Sequence, residues 1–255
     1  MLFRKTSRHP LGSLYLTAVA FIAVVPTFPG HHSLAPTGDP KDHQSWNISA
    51  SGSIPGQNAP IRTVQHSGQC IALTFDDGPH PIYTPQLLYI LRKHRVRATF
   101  FLTGVQCEKH PSIVKRIAAE GHELGNHGYL HARLDKMSPE SVAADIRRAD
   151  QVIVRITGIW PHYFRPAGGV LTPTVLQAAT QTGHPIAMWS VDPRDWVVGR
   201  DATAITAVVK DTVGPGRIVL FHDGGGNQPR MLEALDSLLD FLKKQGYQFV
   251  TLSEE

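Results

Sequence analysis

The sequence has little charge and little cysteine. Only 18% of its 255 residues are Asp, Glu, Lys or Arg, and there are two cysteines, Cys70 and Cys107. Two cysteines without C-x-x-C spacing do not make a zinc knuckle. In an oxidising compartment they can pair; otherwise they read as buried thiols near strand and loop ends. No Lys/Arg run with interleaved aromatics occurs, which argues against nucleic acid as a partner. No internal repeat of roughly 20 to 50 residues is present, so a solenoid is excluded. The uncharged apolar stretch 11–25 has 15 residues, short of the ~20 that comfortably span a bilayer.

That stretch follows Arg4, Lys5 and Arg8, with no acidic residue before it, and precedes a Pro/Gly break. A basic start, an apolar middle and a helix-breaking end read as a secretory signal. No clean A-x-A site follows, so residues 1–30 are either a cleaved signal or a membrane anchor. Residues 31–67 are rich in Ser, Pro, Gly, Asn, Asp and His and have no sustained period, so they read as a disordered linker. Within them Asn47-Ile48-Ser49 matches a glycosylation sequon. The remainder, 68–255, is apolar enough for one core, 42% of the whole chain being hydrophobic.

From residue 69 short apolar runs alternate with helical patterns. Strands are expected at 71–75, 98–102, 122–126, 163–165, 186–191, 217–222 and 247–252. Helices are expected at 85–94, 111–120, 139–157, 173–182, 202–213 and 231–245. Two of these helices carry N-cap and Pro signals at Ser138-Pro139 and Thr172-Pro173. About seven strands alternating with helices predict an α/β fold with a parallel sheet, closed as a distorted (β/α) barrel.

Each chemically suggestive group follows one of those strands. Asp76 and Asp77 follow IALTF, His127 and His131 follow the third strand, and Arg165 ends the fourth. Asp192 and Asp195 follow IAMWSV, and His222 ends RIVLF. In a parallel barrel all strand C-termini meet at one rim. Adjacent aspartates there repel each other unless a cation sits between them. Two histidines and one carboxylate leave an open metal position for water or substrate, and the second aspartate can take a proton from that water. His222 with an aspartate partner, Asp195, can act as a general acid. Asp192 fits a backbone-binding role in the turn at Pro193. Arg165 is either a surface ion pair or a fork that orients Asp76. Trp196, beside Asp195, and Leu220, on the face of its strand shared with His222, are candidates for walling an acyl pocket.

The blocks TFDDGP, HGYLH, RPAGG, DPRDW and LFH, in this order between residues 69 and 252, resemble the polysaccharide deacetylase family (carbohydrate esterase family 4, the NodB homology domain). The resemblance implies a distorted (β/α) barrel, often with seven strands, and a divalent metal, commonly Zn2+, with Co2+ or a similar ion as the alternative. It implies Asp76 as catalytic base, Asp77, His127 and His131 as metal ligands, and Arg165 as the tether of the base. It also implies His222 as general acid with Asp195, Gly168 as an oxyanion-binding amide, and Leu220 and Trp196 as apolar walls. Two departures stand out. Gly128 replaces the usual Ser or Thr that braces the histidine loop, and Ala167-Gly168 replaces a Pro-aromatic pair. The implied activity is hydrolysis of N-acetyl groups on an exported monomer's substrate, peptidoglycan or chitin. An O-acetyl esterase acting on xylan and a metal-free glycan-binding module are the alternatives.

Overall fold

A computed structural model describes residues 59–66, 68–225 and 228–254. The expected signal or anchor, the sequon and the linker up to residue 58 lie outside the described residues. The central strand is β1 (Cys70–Asp76), buried along its whole length. Its side chains alternate between two faces, as a pleated strand requires. Ile71, Leu73 and Phe75 enter the helix-side core with Leu87, Leu88, Leu235 and Leu239, whereas Cys70 and Ala72 enter a second cluster with Phe101, Ile218 and Val250. A strand covered on both faces reads as a continuous apolar run, and CIALTF is one.

Among the described residues the named strands pair in parallel. On one side of β1 lies β4 (Arg217–His222), in register so that Asp76 pairs with His222. On the other lie β2 (Thr99–Leu102), against Thr74–Asp76, and the short β5 (Gln248–Val250), against Cys70–Ala72. Beyond β2 comes β3 (Glu123–Asn126). Parallel strands need crossovers, and helices supply them: α1 (Tyr83–Lys93), α2 (Gly104–Lys109), α3 (Pro111–Ala119), α4 (Pro139–Thr157), α5 (Pro173–Thr182), α6 (Ala202–Thr212) and α7 (Gln228–Lys244). The caps read from sequence are made. Ser138 Oγ accepts from Ser141 N at 3.3 Å, and Thr172 Oγ1 accepts from Val175 N at 3.3 Å. Gly158 ends α4 at φ 73°, where a side chain would be strained.

The structure differs from expectation in four places. The sheet among the described residues has five strands, not about seven, and is not closed by continuous ladders. The expected strands at 163–165 and 186–191 are single parallel bridges, Asn126↔Phe164, Phe164↔Ile186 and Val191↔Val219. Pro161, Pro166 and Pro185 flank them and cannot donate to a ladder. The guanidinium of Arg165 also takes the carbonyls of Ala187 and Met188. Second, Ile61 and Val64, expected within the linker, pair with the folded part: Ile61 N donates to Ile186 O at 2.9 Å and Val64 N to Gly216 O at 2.8 Å. Third, α2 was not expected; six residues are too few to show a helical period. Fourth, Cys70 and Cys107 are both buried and free, so the paired alternative is not realised.

Candidate active site

The site begins where β1 ends. Asp76 is the last residue of the strand and Asp77 the first of the loop, with a left-handed φ of 72°. For a residue with a Cβ that conformation costs about 1–2 kcal/mol. A cis Gly78-Pro79 bond follows. Two strands away, the chain leaving β3 carries His127 and His131, and His131 is again left-handed at φ 53°.

Asp77 Oδ1 lies 3.3 Å from His127 Nε2 and 3.1 Å from His131 Nε2. One ligand atom from each of the three residues falls within 4.8 Å of the other two. His127 Nδ1 lies 2.7 Å from the carbonyl of Arg165. A carbonyl only accepts, so Nδ1 carries the proton and Nε2 turns its lone pair toward Asp77. Asp77 Oδ1 is buried without a hydrogen-bond partner. Burial would raise the Asp77 carboxyl, but the neighbouring imidazoles of His127 and His131 outweigh it and hold it well below the usual carboxylate range. The Asp77 carboxylate in turn pushes His131 up against the effect of its burial. Ligand atoms about 2.0–2.1 Å from a tetrahedral ion lie roughly 3.3 Å apart. Two imidazoles and an orphaned buried carboxylate oxygen at these separations fit a divalent cation.

Asp76, 3% exposed, faces the same spot. Its Oδ2 is 3.8 Å from His127 Nε2, while its Oδ1 accepts from Arg165 Nη1 at 2.8 Å. Arg165 is fully buried, beneath the site rather than in a surface ion pair. The expected fork on Asp76 is corrected to a single tooth. The other guanidinium bonds go to Thr74 Oγ1 at 2.7 Å, Ala187 O at 2.9 Å and Met188 O at 3.0 Å, and its carbon lies 4.0 Å from the centre of the Phe101 ring. One carboxylate oxygen is thereby held and the other left available.

Across the ladder, His222 Nδ1 is 2.9 Å from Asp195 Oδ1, and His222 N donates to Asp195 Oδ2 at 2.8 Å. Burial works against a charged His222, but the hydrogen bond and charge of Asp195, with the charges of Asp76 and Asp77, prevail and push it up to about 9. Asp192 accepts from Arg194 N at 2.8 Å, the expected turn role. Leu220 is buried on the His222 face of β4. Gly168 lies exposed at φ 63° in the turn Ala167–Gly169, directly after Arg165-Pro166, and a Cβ on it would meet nothing within 4 Å. Trp196 is 36% exposed beside Asp195.

One acidic residue was missed. Asp223, following His222, is completely buried, and burial pushes its carboxyl up to about 7, helped by the charges of Asp77 and Asp76 and opposed by Thr84. Its backbone N donates to Asp76 O at 3.1 Å. Thr84 Oγ1 donates to its Oδ2 and accepts from His80 N at 2.7 Å. Gly78 passes so close that a Cβ there would come within 2.4 Å of the carboxylate. An ionisable residue at a strand's C-terminal end was the available signal.

The profile of the family described as polysaccharide deacetylase matches residues 63–187. A peptidoglycan-N-acetylglucosamine deacetylase of Bacillus cereus is 40% identical over 196 residues, which cover 75% of this chain and 90% of that one. The chain belongs to the polysaccharide deacetylase family. A chitooligosaccharide deacetylase of a Bradyrhizobium species is 34% identical over 199 residues, covering 72% of this chain and 89% of the relative. The solved structure of the Bc1960 peptidoglycan N-acetylglucosamine deacetylase superimposes with a TM-score of 0.72 at 40% identity, covering 75% of this chain and 89% of that one. Family members of this kind are generally dependent on a divalent metal, and the Asp77–His127–His131 cluster is the matching place here.

Proposed function

We propose that this chain hydrolyses the N-acetyl groups of N-acetylglucosamine polymers outside the cytoplasm, with a divalent cation, Zn2+ or a similar ion, held by Asp77, His127 and His131. One observation carries the reading: a buried, unpartnered Asp77 oxygen points between two imidazole nitrogens, with a second carboxylate alongside. An ion bound there would polarise the acetamide carbonyl and lower the pKa of a water to ~7.

The chain's own groups divide the remaining work. Asp76 receives the proton of the attacking water on Oδ2, while Arg165 holds Oδ1 and fixes the carboxylate plane. Arg165 needs its buried carbonyl and hydroxyl partners so that its charge does not fall wholly on the base. The N–H of Gly168 meets the developing oxyanion. His222, kept protonated by Asp195, gives its Nε2 proton to the departing sugar amine. Leu220 and Trp196 enclose the acetyl methyl group. An amine is a poor leaving group, so a strong proton donor suits an amide more than an ester. The basic, apolar start of the chain supports export, and the relatives' names support a cell-wall or chitin-type glycan.

Acetate release should be measured on chitooligosaccharide, peptidoglycan and acetylated xylan, before and after chelation and with added zinc or cobalt. Release from the N-acetylated glycans that chelation abolishes and metal restores is expected. Undiminished release from metal-stripped protein, or release from xylan alone, overturns the proposal.

A further inference from the structure

Between the two candidate ligands His127 and His131 lie Gly128, Tyr129 and Leu130. A metal loop of this kind must be held by something other than the metal, or its ordering cost is charged against metal affinity. The three backbone N–H groups are all captured by side-chain oxygens. Gly128 N donates to Asn126 Oδ1 at 2.7 Å, Tyr129 N to Asp145 Oδ2 at 2.7 Å, and Leu130 N to Asp145 Oδ1 at 3.3 Å. Asp145 lies on α4 and spans two successive amides with one carboxylate. Asn126 is itself tied to α4, donating from Nδ2 to Ile146 O at 2.9 Å and to Asp150 Oδ1 at 2.6 Å.

The same geometry accounts for Gly128. It sits at φ 78°, and a Cβ there would come within 2.6 Å of Asp145 Oδ2. Within the family resemblance, a hydroxyl at this position was expected to brace the loop and is missing. The carboxylate reaching over from α4 occupies the space a side chain at residue 128 would need, and it provides two charge-assisted hydrogen bonds.

We propose that Asp145 is the positioning residue of the metal loop, holding the segment between His127 and His131 in its ligating shape before an ion arrives. It touches neither substrate nor ion. The inference rests on the metal reading above, and deepens it by naming what pre-forms the site. Removing a group that orients metal ligands typically costs about 10–100-fold in affinity. Asp145 is in a helix, where alanine is well tolerated, so its removal should act on the loop rather than on α4.

The test is the affinity of the full chain for Zn2+ and Co2+, by chelator competition, with the visible spectrum of the Co2+ form as a second readout. Wild-type protein should bind one ion, and His131→Ala should lose it. Asp145→Ala should bind at least ten-fold more weakly with an altered Co2+ spectrum, while the melting temperature of its metal-free form stays near that of the wild type. Asp145→Asn keeps one acceptor oxygen and should fall between the two; it also serves if the alanine variant does not fold. Wild-type affinity and spectrum in Asp145→Ala, or in Asp145→Asn should that be the only folded variant, overturn the positioning role alone. Failure of the wild type to bind either ion overturns the metal reading and this inference together.

Discussion

At the scale of single residues, the proposed roles separate cleanly in experiment. His131 supplies a ligand atom 3.1 Å from Asp77, whereas His222 faces Asp195. His131→Ala should lose both metal and turnover. His222→Ala should keep metal and lose turnover by on the order of 100-fold or more, the usual worth of a general acid; metal content and kcat measured on the same preparations check this. The acid must be protonated to act. Its pKa, pushed up to about 9, predicts activity that falls as pH rises through that value, with a bound cation opposite Asp76 and Asp77 drawing the limb lower. The stability sign agrees. A histidine whose folded pKa lies above its unfolded 6.5 contributes fully below 6.5 and loses that contribution as pH rises toward about 9. Asp223 follows the same rule, being an acid raised from 3.8 to about 7. Its neutral form suits the buried site, so ionisation removes stability as pH climbs between those values. Asp223→Asn, which keeps an oxygen for Thr84, should melt higher than metal-free wild type at pH 8 and near it at pH 4. The aspartates and histidines of the cluster were legible because each follows a strand and has a spacing that chemistry can use. Asp223 carried the same strand-end signal and was passed over, whereas Asp145 was not legible, because a lone carboxylate in a helix acquires meaning only from what folds against it.

At the scale of elements, β1 is the organiser. One face of it feeds the helix-side core and its end presents Asp76 and Asp77, so burial and the candidate site share a strand. Across that core from Phe75, α7 contributes Leu235, which is wholly buried. Leu235→Ala should cost about 2–5 kcal/mol, read by denaturant unfolding, with the specific activity of the folded protein unchanged because Leu235 lies on the helix side. Helices with long apolar stripes and explicit caps, α4 and α5 above all, were legible nearly to the residue. So were β1 and β4, as apolar runs bounded by turns. The two segments around Phe164 and Ile186 were legible as extended chain but not as bridges. Their prolines were visible, but the side chain that competes for their carbonyls, Arg165, belongs to a long-range contact.

For the whole molecule, the folded unit extends further toward the N-terminus than composition indicates. Ile61 and Thr63 bridge to Ala187 and Arg217, and Val64 is 7% exposed. A chain beginning at residue 59 should unfold at the same temperature as the full chain and deacetylate a soluble oligosaccharide equally well. One beginning at residue 68 should melt several degrees lower, since losing these contacts is expected to cost about 1–3 kcal/mol; calorimetry of the two decides. The sequence by itself determined the α/β class, the strand-by-strand placement of acids, histidines and arginine, and the membership that their order implies. Those depend on local periodicity and on residue chemistry, which a linear chain carries. Only the tertiary structure decided that Arg165 gives Asp76 a single nitrogen, that Asp223 is sealed beneath the loop, and that α4 grips the histidine segment. Each of those is a contact between residues far apart in the chain, and its energy depends on burial and distance, which exist only once the chain has folded.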